Sequence, residues 1–112
     1  MKITLIQDTI VWADIKANLI QTENKLQQLS DKTNLVVLPE MFTTGFCTEQ
    51  LHLAETPGGI TEQKLRYWAT EFHFAITGSY IVNEAGKFFN RAFFAYPDGR
   101  FEYADKRHLF SM

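Results

Sequence analysis

A single cysteine, Cys47, leaves this 112-residue chain without an internal disulfide, so nothing in it calls for an oxidising compartment and the cytoplasm is the expected location. Clustered basic charge is also missing. Eleven Lys and Arg stand against 13 Asp and Glu, a formal net charge of -2, which removes the electrostatic footprint of a protein that binds nucleic acid or anionic lipid. No apolar run approaches the roughly 20 residues of a membrane helix, and the apolar stretch in Met1-Lys2-Ile3-Thr4-Leu5-Ile6 is too short for a secretory signal, so residue 1 reads as the start of a fold. Internal repeats, low-complexity tracts and linkers are absent too. Residues 1–112 are therefore expected to form one continuous unit, at most a single domain.

What is present is an ordinary globular composition, 46% apolar and 21% charged, with all ten phenylalanines after position 40. Residues 2–7 place Ile3 and Leu5 on one side of a strand. Asp14 is positioned to cap a helix whose Ile15, Leu19, Thr22, Leu26 and Leu29 form one stripe. Leu35 to Leu38 lacks polar alternation, the pattern of a parallel strand buried on both faces, and strand-helix-strand implies a right-handed βαβ unit. From Pro39 to Gly59 no period persists, which predicts a long functional loop with a short helical turn. A second helix is expected from Thr61, with Ile60 and Leu65 as a hydrophobic staple and Leu65, Trp68, Ala69 and Phe72 facing the sheet. Residues 73–82 read as the next strand, where Gly78 admits a close neighbour, and Gly86 marks a turn. Strands at 88–96 and 101–104 joined by Pro97-Asp98-Gly99-Arg100 make a hairpin. The predicted class is α/β, in the order β-α-β-α-β-β-β. Phenylalanines on both faces of the 88–96 strand, and an apolar ending at Leu109-Phe110-Ser111-Met112, lead us to expect further chain and a second layer.

Among the residues able to do chemistry, Glu40 stands out because it directly follows a buried parallel strand. That is the carboxyl edge where open α/β sheets place ligands, and partial burial there, helped by Phe42 and Phe46 excluding water, would make a carboxylate a better base. The alternative is a solvated or helix-capping glutamate. Lys106, between Asp105 and Arg107, reads on its own as part of a charged surface, or as an ammonium held beside a developing oxyanion. Cys47, in the same loop as Glu40, reads as a small, partly buried residue; as a nucleophile activated by Glu40 it would be alkylated rapidly at neutral pH. Cys47 and His52 are too few for a metal site, with His73 and His108 far away, so no metal is expected. Gly58-Gly59 lacks the spacing and the lysine of a phosphate loop.

Taken together, Leu-Pro-Glu-Met-Phe around Glu40 and Asp-Lys-Arg-His-Leu-Phe around Lys106 resemble the nitrilase superfamily of carbon-nitrogen hydrolases, most closely its omega-amidase-like branch. Phe42-Thr43-Thr44-Gly45-Phe46, Thr56-Pro57-Gly58-Gly59, Thr77-Gly78-Ser79-Tyr80 and Phe89-Asn90-Arg91-Ala92 fit the same family. The resemblance covers essentially all 112 residues but only the amino-terminal part of a family member. It implies an αββα sandwich and a Glu, Lys, Cys triad in which Glu40 is the base and Lys106 the oxyanion stabiliser. The cysteine would lie beyond Met112, so the chain is expected to be a truncated amidase, inactive alone. Asn90 and His108 become candidates for shaping the pocket near the lysine; a turn-satisfying asparagine and a backbone-bonded histidine are their structural alternatives. The implied substrate is a small omega-amide such as 2-oxoglutaramate, the implied assembly a homodimer, and no cofactor is needed. The competing expectation is a non-catalytic binding or assembly module on the same fold.

Overall fold

The computed structural model describes every residue except 8, 47–50, 111 and 112, and the side chains of 106–110. Its elements run β1 (Ile3–Leu5), α1 (Ile15–Gln28), β2 (Leu35–Val37), a 3-10 turn at Leu51–Leu53, α2 (Ile60–Phe72), β3 (Ala75–Glu84), β4 (Lys87–Ala95) and β5 (Phe101–Phe110). The five strands form one sheet in the order β1-β2-β3-β4-β5. β1, β2 and β3 are parallel, and β3, β4 and β5 are successive antiparallel neighbours. This is the element order expected from the sequence, with β3 shifted two residues later and β5 extended to Phe110.

Packing explains why these segments become these elements. The Asp14 carboxylate accepts from the Ala17 amide at 3.0 Å, capping α1, and Leu19, Thr22 and Leu26 are buried on the expected stripe. Ile15 and Leu29 flank the core. On α2, Leu65, Trp68, Ala69 and Phe72 are buried, and the Trp68 indole N–H donates to Glu23 of α1 at 2.7 Å, so the two helices are tied by a bond as well as by apolar contact. They cover one sheet face, meeting Val36, Leu38, Ile76, Tyr80, Val82, Phe93 and Ala95. Burying a side chain of this size contributes about 1.5–3 kcal/mol, more than the ~1 kcal/mol of a helix cap, so the apolar stripes fix where the helices lie.

Two expectations need correction. α2 begins at Ile60, one residue early, and Ile60 is 47% exposed, so it forms no staple with Leu65. The start is held instead by Glu55, which accepts from the Thr61 amide at 2.8 Å and from its hydroxyl, while Gly59 leaves the room that this carboxylate occupies. β2 is not buried on both faces within these residues: Val36 and Leu38 are buried, but Leu35 and Val37 only half so, and on the same far face Ile3 and Leu5 of β1 are 55% and 63% exposed. The helices cover the near face alone. Among the described residues no helix is long and apolar enough to cross a membrane.

Candidate functional site

The chain does not leave the sheet when β2 ends. The Leu38 amide donates to Thr77 of β3 at 2.8 Å and the Phe42 amide to Ser79 at 3.1 Å, so Pro39, Glu40 and Met41 form a short excursion between two anchors on β3. Gly78 sits between those anchors. A Cβ there would lie 3.0 Å from the Leu38 Cβ and 3.2 Å from the Phe93 ring, which explains the close approach the sequence suggested. Met41 carries the turn in a left-handed conformation, φ 49°, unfavourable for a side-chain-bearing residue, and its amide donates to the Ser79 hydroxyl at 2.9 Å. Further along, Asn18 of α1 donates to the Thr43 carbonyl at 2.7 Å, holding the loop from the helix side.

Glu40 is thus placed at the carboxyl end of the parallel strands, and it is exposed. The partial burial expected of it is not supplied by the described residues. Its carboxylate Oε1 accepts a 3.0 Å hydrogen bond from the Asn90 side-chain amide of β4. Asn90 itself is buried, and its Oδ1 has no partner among the described residues. Directly opposite Asn90 in the β4–β5 ladder is Arg107, whereas Arg91 is opposite Asp105. Lys106 is therefore the extra residue of a β-bulge, a device that changes the direction of a strand and the aim of its side chains. Glu40 and the backbone of Lys106, far apart in sequence, both border Asn90.

The other sequence candidates fall elsewhere. Phe42 is buried in the core, its ring centroid 6.1 Å from that of Phe93, and Phe46 is 63% exposed. The side chains of Lys106, Arg107 and His108 lie outside the described residues, as does all of Cys47. His52 is in the 3-10 turn, and His73 ends α2 with its ring 2.9 Å from the Asp31 carboxylate on the surface. Among the described residues no three His, Cys, Asp or Glu are grouped as metal ligands.

Two contributors were not read from the sequence. Arg91 has a buried side chain, with its Nε 2.7 Å from Asp105 and a terminal nitrogen 2.8 Å from Glu84, and its guanidinium lies 4.0 Å from the Tyr103 ring centroid. The hydrogen bond that Arg91 donates to Asp105, reinforced by Glu84, outweighs burial and holds Arg91 even more firmly charged than usual. Asn18 was the other, a polar residue inside an apolar stripe.

A sheet whose parallel half delivers an acid to its carboxyl edge, beside a bulged antiparallel ladder, is a ligand-handling α/β arrangement. The carbon-nitrogen hydrolase family matches residues 2–111, and the chain belongs to that family. It is 39% identical over its whole length to the omega-amidase YafV of Yersinia enterocolitica, and 33% identical to that of Escherichia coli, spanning 43% of the length of each. A CN-hydrolase superfamily protein from Xanthomonas campestris, whose crystal structure holds an arsenic adduct in the active site, superposes with a TM-score of 0.91 at 39% identity, over 97% of this chain and 41% of that one. A nitrilase-superfamily member from Saccharomyces cerevisiae shares the fold, with a TM-score of 0.85 at 24% identity over 96% of this chain and 44% of the other.

Proposed function

We propose that this chain is the amino-terminal part of an amidase that releases ammonia from a small omega-amide, with 2-oxoglutaramate as the model substrate. The observation that carries the reading is the convergence on Asn90, which binds the Glu40 carboxylate at 3.0 Å and faces the β5 bulge that contains Lys106. The names and identities of the bacterial relatives support the reaction class, at 39% and 33% identity.

In the proposed reaction a cysteine outside these residues is the nucleophile. Glu40 accepts the thiol proton as sulfur attacks the amide carbon, and the Lys106 ammonium stabilises the oxyanion of the tetrahedral intermediate. Glu40 then gives its proton to the departing nitrogen, so ammonia leaves and a thioester remains. Glu40 next takes a proton from water, the hydroxide adds to the thioester, and collapse returns the thiol and the free acid. Because Glu40 acts in both half-reactions, its loss should slow each. The 112 residues alone, lacking that cysteine, are proposed to be inactive, and the full enzyme to be a cytoplasmic homodimer.

The test is ammonia release from 2-oxoglutaramate and succinamate by the full-length protein beside this chain. Activity confined to the longer protein, and abolished by Glu40→Gln and Lys106→Ala, is the expected result. Turnover by the 112 residues, or full activity in Glu40→Gln, would overturn the reading.

A further inference from the structure

Asn90 and Arg91 are consecutive in β4, so their side chains leave the sheet on opposite faces. Asn90 is opposite Ile81 on the face away from the helices, and Arg91 opposite Tyr80 on the helix face. We propose that this pair is a two-sided positioning device for the amide hydrolysis inferred above, on which this inference rests. Asn90 orients the Glu40 carboxylate from one face. From the other, Arg91 holds Asp105 and so fixes the start of the bulge at Lys106.

Asn90 is 5% exposed and its amide orientation is determined, because a carboxylate oxygen at 3.0 Å can only accept. That orientation leaves Oδ1 buried and without a partner among the described residues. The 3.0 Å bond therefore aims a buried, oriented donor at the Glu40 carboxylate, a charge-assisted contact that fixes direction as well as distance. Arg91 makes a fork on Asp105, Nε to Oδ1 at 2.7 Å and a terminal nitrogen to Oδ2 at 3.1 Å. A second carboxylate, Glu84, takes the same terminal nitrogen at 2.8 Å, and the Tyr103 ring is stacked on the guanidinium. Such a fork sets the direction of Asp105 as well as its distance, which a lysine at position 91 would not do. The ladder slips by one residue immediately after this clamp, between Arg91 and Asn90.

The experiment uses the full-length protein with Asn90→Ala, Asn90→Asp, Arg91→Lys and Asp105→Asn, assayed with 2-oxoglutaramate. kcat is expressed per folded molecule, with the folded fraction taken from circular dichroism. Each variant is expected to lose about tenfold or more in kcat, since small misplacements of reacting groups carry penalties of that order, while KM changes less than about threefold. Asn90→Asp, nearly isosteric but without the donor, should fall at least as far as Asn90→Ala. Asp105→Asn leaves the Arg91–Glu84 pair in place and serves if Arg91→Lys folds poorly. A kcat per folded molecule within about twofold of the parent for Asn90→Ala or Asp105→Asn, while Glu40→Gln is dead, would sink this inference alone. An active Glu40→Gln would remove the underlying reading and this inference with it.

Discussion

Replacing Asn18 tests how the loop that carries Glu40 is anchored. Asn18 is 1% exposed and makes three bonds of 2.7 Å, accepting from the Val11 amide and donating to the carbonyls of Val11 and Thr43. One side chain of α1 thereby satisfies the segment before the helix and the loop after β2. Asn18→Ala removes all three bonds, and at about 1 kcal/mol net per bond the loss is roughly 3 kcal/mol, with a smaller cavity contribution of the same sign. With an m-value of about 1–3 kcal/mol per molar urea, the unfolding midpoint should fall by roughly 1–3 M. Asn18→Asp adds a signed control. Its carboxylate keeps the Val11 amide but turns charge toward two carbonyl oxygens in a buried site, so its folded pKa should rise above the unfolded value of about 3.9. Measured against the parent at the same pH, the aspartate variant should therefore be least impaired at and below that value, and its deficit should grow as pH rises through its folded pKa. Urea titrations of parent and variants at pH 4 and pH 7 decide the matter: a midpoint for Asn18→Ala within error of the parent would refute the anchoring argument, and an aspartate variant whose deficit against the parent shrinks as pH is raised would refute the electrostatic one.

Two further measurements probe the frame of the site. Gly78→Ala should destabilise by about 1–3 kcal/mol in thermal or urea unfolding, because the new Cβ would meet Leu38 Cβ at 3.0 Å and the Phe93 ring at 3.2 Å; an unchanged midpoint would show that Leu38 yields freely. Burial, assisted by Glu62 and Glu55, pushes the Tyr80 phenol well above its ordinary pKa of 10.0. The unfolded tyrosine releases its proton first as pH rises, so this contribution to stability is whole below pH ~10 and is lost toward the raised folded value. The fall in stability between pH 9 and pH 11 should be shallower in Tyr80→Phe, and equal slopes would refute the assignment.

The sequence reveals the features that depend on local pattern. Leu19, Thr22 and Leu26 recur at helical spacing and are buried, the hairpin closes at Gly99 with φ 97°, and Glu40 follows the parallel strand at the expected edge. What the sequence hides depends on partners distant in the chain. Arg91 sits in a strand rich in phenylalanine, and its burial makes sense only when the register brings Asp105 across and Glu84 along the sheet. Asn18 interrupts an apolar stripe, and one of its partners, Thr43, is 25 residues away. The packing of Phe42 on Phe93 is hidden too, because the left-handed turn at Met41 breaks the alternation from which the direction of that side chain would be read. Leu35 to Leu38 shows a further limit: an apolar run is the same in sequence whether or not the residues at hand cover both its faces.

The left-handed conformation at Met41 recurs at Ala85, φ 54°, and glycine substitution should have opposite signs at the two positions. Ala85 and Gly86, φ 80°, are the central residues of the two-residue turn between β3 and β4, and Ala85 is exposed, so little packing is at stake. Ala85→Gly relieves the backbone penalty and should stabilise by about 0.5–1 kcal/mol, the usual gain where a left-handed residue loses its Cβ, less the entropy of the freer unfolded chain. At Met41 the same relief of ~1–2 kcal/mol is opposed by removal of a side chain that is 1% exposed, for which truncation costs about 2–5 kcal/mol. Burial wins, and Met41→Gly should be destabilised by roughly 1–3 kcal/mol. The packing of that side chain is therefore what holds the turn beside Glu40 in its unfavourable backbone state, and activity should follow the packing. In the full-length protein Met41→Leu should retain stability and most turnover, whereas Met41→Gly should lose turnover beyond its loss of folded protein. If Met41→Gly proves as stable and as active as its parent, the turn is set by the Ser79 hydroxyl and the β3 anchors alone, and the side chain has no part in aiming Glu40.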